Sequence, residues 1–539
     1  MTRVDSWSSK PIVRKLVYSS SVVVFFALIL APTILGVSLK WNSLGQIMQD
    51  QSLLSRALSA VYASFAVAIF VSIVDMVAGI PMAWLIARGK SRWLNLLDTF
   101  VDLPLILPTA ILGYSFLLFW TSPDQGLSSL FGASPLSPGW MLVILLHFAF
   151  SYPAVVRMMV GRILDFRLTY EEAARSLGAT PFTFSRTITL PILKPGLIAA
   201  FTLAFARSLS ETGATLMVAG TFENGPIFIK NAIDSGYNSA LVMVSLILIL
   251  ASCVIYGLIS YLSSRLKIPI RHVWPGFERK LNDRRLVGSR NAASLLIFAS
   301  LRLVPSLFVV FPAVQGLLAG EISLQTVVSP GVWRDYWQSI LLSYGLGFAV
   351  TVVNIGIGLP MAILIARKKV GKALSSILDA LVNVPMIIPS VALGVSLRFF
   401  WGSFLTSPEF LALFFAHLII TYPYLVRSMT AAIEGINVEL EDSARTLGSR
   451  PFHIFRSITL PLTKYSLFFG AIMAFTRSVD ETGATIAVAP SIKTAPVLLV
   501  NWVKGAVKVS PLEISLGTGF LVLLAFTTLL ILRLLMRRK

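Results

Sequence analysis

Few side chains in this sequence have the types and spacing that chemistry needs. A nucleotide-phosphate loop requires G-x4-G-K-[ST], because backbone amides and the lysine cradle the phosphates. GKS begins at Gly89, but Trp84 stands where the first glycine belongs; GKA at Gly371 lacks the hydroxyl, and Ala366 replaces its first glycine. No nucleotide site and no catalytic residue are therefore expected. His147 and His417 each precede a hydroxyl residue and Tyr-Pro. Two histidines on separate helices make no metal site, so packed, hydrogen-bonded rings are expected. Cys253 is the one cysteine, which excludes an internal disulfide and a cysteine metal cluster. What remains is charge inside apolar runs. Arg207 and Glu211 are four apart, as are Arg477 and Glu481, with Asp480 beside the second pair. That spacing shares one helix face, and intramembrane charge is either paired or functional. Two readings stay open: the pairs hold packing together, or they line a pathway. Asp75 is expected to be held by a structural hydrogen bond. Pro104, Pro108, Pro385 and Pro389 interrupt two further apolar runs. The carbonyls they free either line a cavity or merely allow a bend.

The elements that must position these residues are long and apolar. The chain has 539 residues, 56% hydrophobic and 13% charged, about half the charge of an average soluble domain. Lipid is the expected solvent. At about 20 apolar residues per crossing, spans are expected near 17–37, 58–87, 98–120, 139–160, 196–219 and 239–262. A second set falls near 292–314, 338–366, 380–401, 409–432, 463–489 and 513–533. The first run is too long for a signal-peptide core. The net charge of +20 would suit nucleic acid in a soluble protein. Here most Lys and Arg fall on one side of the membrane if both termini are cytoplasmic. The basic charge is then topology, and no nucleic-acid partner is expected. The basic stretch 263–291 reads as a cytoplasmic linker lying against lipid headgroups.

The two sets are copies. GIPMAWLIARGK at Gly79 matches GLPMAILIARKK at Gly358, and HFAFSYPAVVR at His147 matches HLIITYPYLVR at His417. RSLSETGAT at Arg207 matches RSVDETGAT at Arg477. Order and side are kept, so the fold class is an all-α membrane protein with about twelve helices in a tandem, parallel 6+6 repeat. The expected division is a first half at 1–262 with its core at about 57–262, the linker at 263–291, and a second half at 292–539 with its core at about 337–533. The first span of each half matches poorly and is expected to pack outside the core.

One repeated segment is polar. EEAARSLGATPFTF begins at Glu171, and EDSARTLGSRPFHI begins at Glu441. Thr169 can cap a helix with Glu172 three positions on, and Glu171 and Glu172 suit its positive end. Gly178 supplies a left-handed stop. Thr180 and Pro181 can open a second short helix. The small Ala173 and Ala174 would let a partner surface approach. Two such segments on the cytoplasmic face imply two copies of one partner.

These residues carry a family resemblance. EEAARSLGATPFTFSRTITLP resembles the EAA loop, E-A-A-x3-G-x9-I-x-L-P, of permease subunits of type I ATP-binding cassette importers. Glu172, Ala173, Ala174 and Gly178 match in the first half; Asp442, Ser443, Ala444 and Gly448 stand there in the second, where Asp442 and Ser443 depart from the pattern. The resemblance extends over spans two to six of each half. It implies that both permeases are fused in one chain of a prokaryotic cytoplasmic membrane, without a cofactor. The partners would be two cytoplasmic ATPases, docked at Glu171–Leu177 and Glu441–Leu447, and an extracytoplasmic solute-binding protein. LPLILPTAILGY and SETGAT are similar to segments of molybdate- and sulfate-type permeases, whereas the fused arrangement resembles iron(III) and thiamine permeases. A small oxyanion such as molybdate, tungstate or sulfate is the first expectation for the substrate, with iron(III) or thiamine next. An ion-driven secondary carrier and a membrane scaffold are the competing classes; the carrier does not account for two matched docking segments, and the scaffold would not need the kinked spans and paired charges.

Overall fold

A computed structural model describes residues 8–536 apart from 90, 92, 124–125, 128–131, 133, 166–167, 266–282, 321–326, 328–330 and 405–408. Most of the expected linker lies outside the described residues. Among those described, nine helices are long and apolar enough to cross a membrane. Two further crossings are bent pairs: Arg285–Leu307 with Val310–Leu318 at 45°, and Lys372–Ile387 with Ser390–Ser403 at 103°. The segment expected over 98–120 is also broken, into Trp93–Ile106 and Thr109–Thr121. Each expected span thus falls on a helix or a broken pair.

The two proline strings explain the breaks. Proline has no N–H to donate, and it drives the residue before it out of the helical region. Ile388, before Pro389, is extended at ψ 133°, and Pro108 itself has ψ 139°. The break falls only at the second proline of each string. Pro104 lies inside Trp93–Ile106, and Pro385 occupies the first turn of Val384–Ile387, where the missing N–H costs nothing.

Span five corrects the expectation of one continuous helix to 219 or 489. Leu190–Ser210 ends at an extended Glu211, and a short helix, Gly213–Val218, follows. The second half repeats this with Leu460–Asp480 and Gly483–Val488. Glu211 and Glu481 therefore stand at the breaks, at the ends of the helices that carry Arg207 and Arg477.

The first spans do pack outside their own cores, and each lies on the opposite half. Phe25 stacks on Tyr422 at 5.9 Å, and Phe298 stacks on Tyr152 at 6.4 Å. A serine fastens each crossing. Ser396 Oγ donates to Pro32 O at 3.0 Å and accepts from Val37 N at 3.2 Å. Ser115 Oγ donates to Pro305 O at 2.6 Å and accepts from Val309 N at 3.0 Å. Close approach needs a missing side chain as well: a Cβ on Gly36 would lie 1.8 Å from Ser396 O. In lipid, where apolar burial gives little drive, such tight contacts and interhelical hydrogen bonds hold helices together.

Candidate functional site

The polar segment forms the expected helix, turn and second helix in both halves: Leu168–Ser176 then Pro181–Phe184, and Val438–Thr446 then Pro451–Ile454. Gly178 and Gly448 have φ of +84° and +82°. Their turns close with Ala179 N donating to Ala174 O and Ser449 N to Ala444 O, each at 3.0 Å. Thr180 Oγ1 accepts from Thr183 N at 3.3 Å, as its capping role requires. The cap of the main helix differs from expectation. Thr169 is already the second residue of the first-half helix, and in the second half Asn437 is the cap, accepting from Glu439 N at 3.1 Å.

Glu171 and Glu441 do not face the partner side. Both are buried. Glu441 Oε1 lies 2.8 Å from Arg367 Nη2, and Arg367 also donates to Ile436 O at 3.3 Å. The first-half pair is looser, with Arg88 Nη2 3.7 Å from Glu171 Oε2; Arg175 Nη2 lies closer, at 2.7 Å from Glu171 Oε1. Each polar helix is thus bolted to the end of span two by its inward-facing glutamate. Glu172, Ala173, Asp442 and Ser443 face outward, whereas Ala174 is buried and Ala444 half-buried. The outward face carries an apolar residue that the polar composition hid: Leu177 is 89% exposed and Leu447 86%. Tyr170 and Leu440, seven positions earlier on the same face, are also exposed.

At the centre, the two Glu-Thr-Gly-Ala-Thr segments abut reciprocally. A Cβ on Gly213 would lie 2.8 Å from Thr482 Cβ, and one on Gly483 would lie 2.9 Å from Thr212 Cβ. Each threonine side chain reaches the opposite backbone because the residue facing it is glycine. Each break before this contact is braced. His147 contacts Ser208 Oγ at 2.9 Å and Thr215 Oγ1 at 2.8 Å; His417 contacts Ser478 Oγ at 2.8 Å and Thr485 Oγ1 at 3.0 Å. One ring therefore clamps the end of span five to the helix beyond it. Glu211 Oε1 accepts from Ala214 N at 2.9 Å and Glu481 Oε1 from Ala484 N at 2.8 Å, capping those same helices.

On the polar-helix side of the contact lies a cavity of about 90 Å³, room for a few water-sized groups. Arg207, Glu211, Arg477 and Pro108 line it, together with Asp480, Phe150 and Tyr424. Glu481 reaches it through Arg477, at 2.6 Å. Pro385 and Pro389 are not in its lining, and for Pro104 only the backbone is described. Asp480 accepts a hydrogen bond from Thr109 N, the first residue after the break at Pro108, and so ties the second half to the first. Asp75 is held by Ser151, as expected, and its repeat mate Asn354 by Thr421 Oγ1 at 2.7 Å. Among the described residues, no group of three or more His, Cys, Asp or Glu could hold a metal ion.

Matched polar helices at one end, broken spans, and a reciprocal contact closing the centre define a membrane permease made of two homologous halves. The chain belongs to the family described as "Binding-protein-dependent transport system inner membrane component", which it matches twice, over residues 76–268 and 358–538. Among its relatives is the molybdenum transport system permease protein ModB of Escherichia coli, 32% identical over 164 residues, covering 28% of this chain and 70% of the relative. The sulfate transport system permease protein CysT of Salmonella typhimurium is 32% identical over 183 residues, covering 34% of this chain and 65% of the relative. The molybdate/tungstate transport system permease protein WtpB of Pyrococcus abyssi is 28% identical over 214 residues, covering 39% of this chain and 83% of the relative.

Proposed function

We propose that this chain is the complete membrane pathway of an ATP-driven importer of a small oxyanion such as molybdate, tungstate or sulfate. It acts with two copies of a cytoplasmic ATPase and one extracytoplasmic solute-binding protein. It carries no cofactor and hydrolyses no nucleotide itself. Both termini lie in the cytoplasm of a prokaryotic cell. The halves, 1–262 and 292–539, are joined by the cytoplasmic linker 263–291, and each lends its first span to the other. The observation that carries this reading is the pair of bolted helices. Glu171 and Glu441 tie them to Arg88 and Arg367 at the ends of the second spans, while Leu177 and Leu447 stand exposed. An ATPase gripping Leu177, Ala173 and Glu172, or Leu447, Ser443 and Asp442, pulls on the second spans through these ion pairs. Gly178 and Gly448 set the angle of the grip, and Ala174 and Ala444 seat the helix. Arg207, Glu211, Arg477, Glu481 and Pro108 then form the lining that alternately faces each side, and Pro104, Pro385 and Pro389 shape the broken spans around it. The names of the relatives support the oxyanion over iron(III) or thiamine.

The test is purification from native membranes with subunit masses, followed by uptake of labelled molybdate and sulfate into vesicles. Two ATPase chains per permease and ATP-dependent uptake are expected. Uptake by a complex that holds no ATPase would make the protein an ion-driven carrier instead.

A further inference from the structure

We propose that Arg207 is the cation that the oxyanion meets on its way between the halves, and that the second half has no equivalent site. The inference rests on the oxyanion-import reading above. The two arginines of the cavity occupy matching places in the repeat but are held differently. Arg477 is committed, with Nη2 2.6 Å from Glu481 Oε2. Among the described residues, no carboxylate oxygen lies within 4.0 Å of Arg207. Its guanidinium lies over the Phe150 ring at 4.3 Å, and its buried Nε has no hydrogen-bond partner. A guanidinium stacked on a ring keeps its edge N–H groups, the fork that matches two oxygens of an oxyanion.

Three departures from the repeat produce this difference. Phe150 stands where the second half has Ile420, so only Arg207 has a ring to lie on. Tyr424 replaces Ala154 and brings a hydroxyl into the cavity lining. Asp480 replaces Ser210 and is taken up by Thr109 N. The other carboxylates are also engaged: Glu211 accepts from Ala214 N, and Glu481 accepts from Ala484 N and is ion-paired with Arg477. Among the described residues lining the cavity, Arg207 is the cation without a carboxylate partner. Glu211 and Asp480 in the same lining weaken the hold of Arg207 on an anion, so that an anion bound there is not trapped, as conduction requires.

The experiment uses the purified complex with its ATPases. Equilibrium binding of labelled molybdate is measured without the binding protein, and uptake is measured with it in proteoliposomes. Arg207→Gln is expected to weaken molybdate binding about tenfold or more, the scale of a lost charge-assisted contact. Arg207→Lys should restore part of it, and Phe150→Ile should weaken it several-fold by freeing the guanidinium from its ring. A purely structural arginine would not give this graded order in a binding measurement. If Arg207→Gln fails to assemble, Arg207→Lys and Phe150→Ile decide, and wild-type affinity in both overturns the proposal. Wild-type binding and uptake in assembled Arg207→Gln also overturn it while leaving oxyanion import intact. Failure of the wild-type complex to take up molybdate or sulfate removes the import reading and this inference together.

Discussion

At the scale of the residue, Gly178 and Gly448 isolate a backbone effect. Nothing lies within 4 Å of where a Cβ would stand on either, so a side chain there meets no steric obstacle. The left-handed φ alone costs a β-branched residue about 1–2 kcal/mol. Gly178→Val with Gly448→Val is expected to abolish uptake while the chain stays in the membrane. Gly178→Asn with Gly448→Asn should keep most of it, because asparagine tolerates the left-handed region. Uptake at the wild-type rate in the double valine variant would show that the turn geometry does not transmit force. The glycines were legible because a positive φ has a short list of compatible residues. The inward turn of Glu171 and Glu441 was not legible. A glutamate in the first helical turn suits the dipole whichever way it points, and its arginine lies on another helix. Glu441→Ala should reduce uptake more than Glu171→Ala, since the 2.8 Å pair to Arg367 is tighter than the 3.7 Å pair to Arg88.

At the scale of the element, the exchanged first spans carry a buried charge that the repeat lacks elsewhere. Arg302, on the second half's first span, is fully buried against the first half; it donates to Ala149 O at 3.0 Å and lies 5.5 Å from the Tyr152 ring. Its mate in the repeat is Ile29, fully buried against Tyr422's half. Asp75 is also fully buried and is held by Ser151, the neighbour of the Tyr152 over which Arg302 lies, and the mate of Asp75 is the neutral Asn354. Two neutral residues in one half thus correspond to two opposite charges in the other. A buried charge left alone costs about 3–5 kcal/mol, whereas replacing both members is often neutral. Arg302→Ile is therefore expected to lower the melting temperature of the detergent-solubilised protein by several degrees. Adding Asp75→Asn should recover most of that loss, and additive losses would rule out coupling between the two. Sequence could not join these residues, because the first spans match poorly and nothing in periodicity says which half a span leans on. It also gave span five as one helix: Glu211 and Glu481 sit four after an arginine, the spacing of an ion pair on one face, and Glu481 makes that pair, yet each also caps the short helix beyond the break. Proline marked the other broken spans, and these breaks have none.

At the scale of the whole molecule, the centre is shut by two threonines, each packed on a glycine of the other half. Thr212 and Gly213 press on Gly483 and Thr482, and the cavity lies between this contact and the end that carries the polar helices. A pathway that opens alternately must part these segments when the polar helices move together. Ion pairs from those helices to the second spans, and histidine clamps across each break in span five, leave few soft points between the two ends. Parting the segments therefore means moving the halves as bodies, each with the other's first span attached. The chain allows a direct test because Cys253 is its one cysteine. With Cys253→Ala as background, Thr212→Cys and Thr482→Cys should cross-link under mild oxidation in the absence of nucleotide. With the ATPases held closed by ATP and vanadate, the cross-link should fail to form; formed beforehand, it should block uptake until it is reduced. Equal cross-linking in both states would mean that this contact never opens, and the route for the oxyanion would have to pass beside the paired segments rather than between them.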